Sequence, residues 1–166
     1  MRRAGLIAAV AVAAGLPGGA QGVPQSECAA ARLHLAATFY GEAGGQFMQT
    51  LTFRSLAHRS CRLAGWPRLV GVPYRRVVQG APAAQPYRPV LLRPLAAASF
   101  DVYGADFDAL HDRTCPMLRR LRVALPGGGV VFRVGVRLPH CPGGFLVAPL
   151  VPGTRDPNAW SIVWHG

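Results

Sequence analysis

Apolar and polar residues alternate with a period of two along much of this chain. Over residues 32–39, Leu33, Leu35, Ala37 and Phe39 fall on one side, and His34 is left outward. That is the period of a half-buried strand. Gly41-Glu42-Ala43-Gly44-Gly45 follows and predicts a turn, because glycine takes positive φ at no steric cost. Residues 46–53 predict the returning strand of a hairpin. Phe47, Gln49, Leu51 and Phe53 share one face, and Met48, Thr50 and Thr52 the other. Cys61-Arg62-Leu63, the apolar run 69–72, Val90-Leu91-Leu92 and residues 96–103 predict further short strands. Residues 73–89, rich in Pro, Arg and Ala, predict an irregular loop, and a short helical turn is expected over 107–112.

The strongest hairpin comes late. Residues 118–125 and 130–137 alternate on either side of Pro126-Gly127-Gly128-Gly129. Leu121, Val123, Leu125, Val130, Phe132, Val134 and Val136 are expected inward, and Arg120, Arg122, Arg133 and Arg137 outward. Residues 145–150 predict a last core strand. Seven or more short strands with turn chemistry between them define an all-β class. Its expected form is an immunoglobulin-like β-sandwich of short antiparallel strands. Composition supports one such domain: 166 residues, 20 Gly, 15 Pro and 51% hydrophobic residues. This is too apolar for a disordered chain.

The N-terminus departs from the strand pattern. Met1-Arg2-Arg3 is basic, residues 6–16 are apolar, and Pro17-Gly18-Gly19-Ala20 is small. This is the layout of a secretory signal peptide. The apolar run is about eleven residues, short of the roughly 20 needed to span a bilayer. Cleavage is expected after Ala20, with Gly22 as the alternative. The expected organisation is a signal peptide over 1–20, a flexible leader over 21–27, a β-sandwich over 28–151 and a tail over 152–166. In the tail Trp160, Ile162 and Trp164 alternate. The expected location is the medium or the cell envelope, with no stable membrane insertion after cleavage.

Export changes how the four cysteines are understood. Cys28, Cys61, Cys115 and Cys141 are even in number and far apart, which in an oxidising compartment predicts two disulfides. Three pairings exist. Neighbours in sequence favour Cys28–Cys61 and Cys115–Cys141, and the second pair is nearly symmetric about the late glycine turn. His140 and His111 lie near cysteines, but no close C-x2-C or H-x3-H pair is present, so no metal site is expected.

The order of these features resembles the domain of unknown function 4232. The most specific parts are Cys61-Arg62-Leu63-Ala64-Gly65-Trp66-Pro67 and the segment Cys141-Pro142-Gly143-Gly144-Phe145-Leu146-Val147. The resemblance covers roughly residues 28–151. It implies an exported immunoglobulin-like sandwich and no activity, cofactor or catalytic residue. Two departures stand in the middle of the chain: the Arg-rich segment 72–78, and Arg54 where an Asn is usual.

Charge and chemistry narrow the function. The formal net charge is +11, carried by 18 basic residues that are all Arg. Losing Arg2 and Arg3 with a signal peptide leaves +9. No Ser lies in G-x-S-x-G, and Gly127-Gly128-Gly129 lacks the Lys-Ser/Thr of a phosphate loop. Asp101, Asp106, Asp108 and Asp112 lack the spacing of a calcium loop and are expected to face Arg113, Arg119 and Arg120. Neither catalytic residues nor a cofactor are expected. The expectation is an exported, non-catalytic binding or interaction module whose partner is a protein or an envelope polymer. Arg120, Arg122, Arg133 and Arg137 form its candidate anion-binding patch, open to acidic polysaccharide, nucleic acid or anionic lipid. Base-specific nucleic-acid recognition is not expected. A secreted hydrolase with an unrecognised site is the further alternative.

Overall fold

The computed structural model describes residues 26–71, 80–82, 88–125 and 130–154. A single 3-10 turn, Ala30–Arg32, leads into β1 (Leu33–Ala43), which pairs antiparallel with β2 (Gln46–Ser55). Then follow β3 (Cys61–Leu63), β4 (Arg68–Gly71), β5 (Gly80–Pro82), β6 (Val90–Leu92) and β7 (Ala97–Ala105). A small hairpin of β8 (Phe107–Asp108) and β9 (Arg113–Thr114) precedes β10 (Met117–Ala124) and β11 (Val131–Pro139). β12 (Phe145–Val147) and β13 (Val151–Pro152) close the order.

The large sheet runs β1-β2-β7-β12-β5, with β13 also on β7. The second layer is the sheet β11-β10-β4 together with the pair β3-β6. One apolar core lies between them. Phe47, Leu51, Phe53, Phe100, Val102 and Phe145 come from the large sheet, and Leu63, Leu92, Leu121, Val123, Val134 and Leu138 from the facing strands. Phe53 joins the layers directly. Its ring stacks on Phe100 at 5.9 Å and meets Phe132 of β11 edge-on at 5.3 Å, geometries that suit the ring quadrupoles. The molecule is therefore the all-β sandwich that the alternation predicts. It carries both expected disulfides, Cys28–Cys61 and Cys115–Cys141, with Cα atoms 4.9 and 5.2 Å apart. All four sulfurs are used, which leaves no thiolate for zinc and fits an oxidising compartment. No helix among the described residues is long and apolar enough to cross a membrane.

Several local expectations are corrected. β1 does not end at Phe39 but runs to Ala43, and the turn shrinks to Gly44-Gly45, with φ of 59° and 78°. Two residues with positive φ make the hairpin turn whose twist matches its strands. A bulge between Ala37 and Phe39 reverses the alternation. Phe39 therefore leaves the Leu33–Leu35 side and packs with Met48, Tyr103 and Ala148 on the other face of the large sheet. The loop expected over 73–89 contains β5, paired in parallel with β12. The helical turn expected over 107–112 is instead the tip of the β8–β9 hairpin, with Asp112 at φ 47°. Val130 is exposed rather than inward. Ser26 and Glu27, expected in a flexible leader, are held to β3. The Cys28 amide donates to the Arg62 carbonyl, and the Arg62 amide to that of Ser26. The expected signal peptide and Trp160, Ile162 and Trp164 lie outside the described residues.

Candidate anion-binding face

The late hairpin sets the geometry of the basic side chains. Register between β10 and β11 puts Arg122 opposite Arg133, and Arg120 opposite Gly135. Antiparallel partners point to the same side of a sheet, so Arg120, Arg122 and Arg133 share the outer face while Leu121, Val123 and Val134 enter the core. On its other side β10 pairs with β4, which places Arg68 opposite Ala124 and Val70 opposite Arg122. Arg68 therefore joins the same outer face. Its one-residue offset from the core Leu69 is visible in the sequence, but the pairing of β4 with β10 is not.

Arg137 keeps the side of Arg133: Arg133, Gly135 and Arg137 are exposed and alternate with the buried Val134, Val136 and Leu138. Between the pairs Leu118–Leu138 and Arg120–Gly135, β10 contributes one residue and β11 two. Beside this irregularity Arg119 and Arg137 border a cleft at the open edge of the sandwich. All four expected arginines thus stand at outward positions of the hairpin, Arg68 joins them, and Arg137 also borders the edge cleft.

Electrostatically the face is one-signed. No Asp or Glu stands on β4, β10 or β11, and none of these arginines forms an ion pair among the described residues. Arg122 and Arg133 oppose each other directly, with Cβ atoms about 4.5–5.5 Å apart in such a pair, an unfavourable placement for like charges. Arg122 is half-buried, and its Nε–H is fully buried with no acceptor. A buried donor without a partner costs about 1–3 kcal/mol, and more on a charged group. An anionic oxygen laid on this face would relieve the repulsion between Arg122 and Arg133.

The acids expected to cover this face are engaged elsewhere. Asp101 lies within β7, fully buried, where it accepts hydrogen bonds from the Thr50 hydroxyl at 2.7 Å and the Tyr103 hydroxyl at 3.0 Å. Burial pushes the Tyr103 phenol up to about 12. Asp106 donates its amide to the Gly45 carbonyl beside the β1–β2 turn. Asp108 lies 2.7 Å from His111 Nδ1 and 3.6 Å from Arg113 Nε. Burial pushes its carboxyl up, but the His111 hydrogen bond and charge, the Leu110 amide and Arg113 outweigh that and hold it below the ordinary value. Of the three arginines expected to meet these acids, only Arg113 does so. No group of three or more metal-ligating side chains occurs among the described residues. Comparison of the chain with family models, curated proteins and solved structures finds no significant match.

Proposed function

We propose that this chain is an exported module of the cell envelope or medium that holds an acidic polysaccharide on the outer face of β4–β10–β11, without turning it over. The observation that carries this is Arg122. Arg122 stands directly opposite Arg133 on a face whose strands carry no acid, a like-charge pair that an outside anion would offset. Arg68 and Arg120 extend the charge across three strands spaced about 4.8 Å apart. A row of cations suits a repeating anion better than a single small one. Nucleic acid is the weaker candidate, because the outward residues here are Arg, Val, Ala and Gly, with no aromatic platform among the described residues on which a base could stack. Export is supported by the basic, apolar, small layout of residues 1–20 and by the two disulfides. We place the chain with the domain of unknown function 4232 and its immunoglobulin-like sandwiches, on the two cysteine-led segments that resemble it.

The double variant Arg122→Gln/Arg133→Gln tests this on immobilised heparin, a strongly acidic polysaccharide. It should elute at clearly lower salt than the wild type. Its melting temperature should be unchanged or slightly raised, since a repulsive pair is removed. Equal retention of wild type and variant would contradict the assignment. So would a large loss of stability, which would make these arginines structural.

A further inference from the structure

A second basic feature lies at the open edge of the sandwich, beside the outer face. β1 ends the large sheet on one side and β11 ends the facing sheet. Each strand is bulged where they approach: β1 between Ala37 and Phe39, β11 at Val136 and Arg137. Between the two irregularities a cleft of about 400 Å³ opens, lined by residues 37–40 of β1, Gln49 of β2, Arg119 of β10 and residues 135–137 of β11. That volume lies within the range of small-molecule sites, about 300–1,000 Å³. It exceeds what a lone inorganic ion needs.

The side chains give the cleft a definite chemistry. Arg119 and Arg120 are both exposed between the buried Leu118 and Leu121, and Arg119 borders the cleft. Arg137 comes from the opposite strand of the same bulge. Two guanidiniums therefore flank one opening, and neither has an ion pair among the described residues. Tyr40 stacks on Phe47 at 6.3 Å and donates its hydroxyl to Glu42. Burial, then that hydrogen bond, then the charges of Glu42 and Asp106 raise its phenol, and Arg137 lowers it. Tyr40 thus stays neutral, and the acids beside it limit how much negative charge the cleft accepts. Thr38 shares a 2.8 Å hydrogen bond with Thr52, and the Gln49 amide donates to the carbonyls of Phe39 and Thr50. The floor is polar and held in place.

We propose that this cleft binds one monoanionic sugar unit, a hexuronate, through its carboxylate. Guanidiniums match a planar carboxylate with paired N–H donors. Glu42, bonded to the Tyr40 hydroxyl beside the opening, disfavours a dianion such as inorganic phosphate. Hydroxyl, phenol and amide groups around the opening meet the sugar hydroxyls, and the face of Tyr40 suits the apolar side of a pyranose ring. The choice of a sugar acid rests on the polysaccharide reading of the outer face; the cleft adjoins that face and turns on Arg119 and Arg137, which the Arg122→Gln/Arg133→Gln variant leaves intact.

The test is titration of the mature protein with sodium glucuronate, at ionic strength held constant with sodium chloride, followed by amide chemical shifts. The expected result is saturable shifts confined to residues 37–40 and 135–137. Glucose should produce none, and inorganic phosphate should bind at least tenfold more weakly. Arg119→Gln/Arg137→Gln should weaken glucuronate at least tenfold while heparin retention through the outer face persists. Arg122→Gln/Arg133→Gln should leave glucuronate affinity unchanged. The absence of saturable shifts at the cleft would overturn the proposal even if the outer face binds heparin. It would also fall if glucose bound as well, if phosphate bound equally, or if a short acidic peptide bound more tightly than glucuronate. Loss of heparin retention in the outer-face variant has no bearing on the cleft, so the two readings fail separately.

Discussion

Phe53→Ala should lower the unfolding free energy by about 4–5 kcal/mol, near the top of the range for truncating a buried aromatic. Phe53 is fully buried in β2. Its ring touches Phe100 of the neighbouring strand and Phe132 of the opposite sheet. Truncation removes apolar contact within one layer and between the two layers at once, along with ring–ring geometry worth about 0.5–1.5 kcal/mol per pair. The neighbours come from strands fixed by long ladders on both sides of β2, so they cannot close the space cheaply. Domains of this kind are stable by about 5–15 kcal/mol in total. The variant should therefore show a strongly reduced urea midpoint with little change in slope. A loss under about 2 kcal/mol would mean that Phe53 does not bridge the layers as described.

Cys28→Ser/Cys61→Ser should cost about 3–4 kcal/mol, from the loop-closure entropy that a crosslink across 33 residues removes from the unfolded chain. The local effect should be uneven. Cys28 stands just before the turn that enters β1, and Cys61 begins β3, a strand of three residues that pairs with the equally short β6 and bridges the 26–28 segment. Without the sulfur link, the segment 26–28 keeps two backbone hydrogen bonds to Arg62. Hydrogen exchange should quicken first at residues 26–28 and 61–63, while β2 and β7 remain protected. Uniform acceleration across the sheet would contradict a disulfide that chiefly pins the N-terminal segment.

Those two effects bear on how much of the fold was legible. Alternation alone located β2, β7, β10 and β11 within a few residues, because in each of them a side chain every second position is apolar and enters the core. The disulfide pairs followed from separation and from symmetry about the late turn. Bulges were harder. One extra residue at Thr38 puts Phe39 on the opposite face from Leu35, and nothing in a run of Ala, Thr and Phe marks the slip. Strand length was also hidden at the first turn, where five turn-favouring residues contain only two in positive φ that reverse the chain.

The candidate site was half legible. Arg120, Arg122 and Arg133 could be placed on one face by parity. Arg137 has the same parity, keeps that side and also borders the cleft. Arg68 was absent from the expectation because its inclusion depends on which strand lies beside β10, a long-range pairing with no local signal. The cleft of Arg119, Arg137 and Tyr40 could not be foreseen for the same reason: it exists only where two sheet edges meet. Asp101 misled in the opposite direction. Counted among clustered acids, it is a fully buried carboxylate in a central strand, bonded to Thr50 and Tyr103, and so is removed from the surface balance of charge.

The central claim is that Arg68, Arg120, Arg122 and Arg133 form an outer face that binds an acidic polymer by charge. The most direct test is the salt dependence of heparin binding by the mature protein, measured between about 50 and 200 mM sodium chloride, the span over which multi-contact polyanion binding weakens most visibly. The logarithm of the binding constant should fall linearly and steeply with the logarithm of salt. The Arg122→Gln/Arg133→Gln variant should show a slope shallower by about two, one for each cation removed. A binding constant that does not respond to salt, or a slope that is the same in wild type and variant, would contradict the claim.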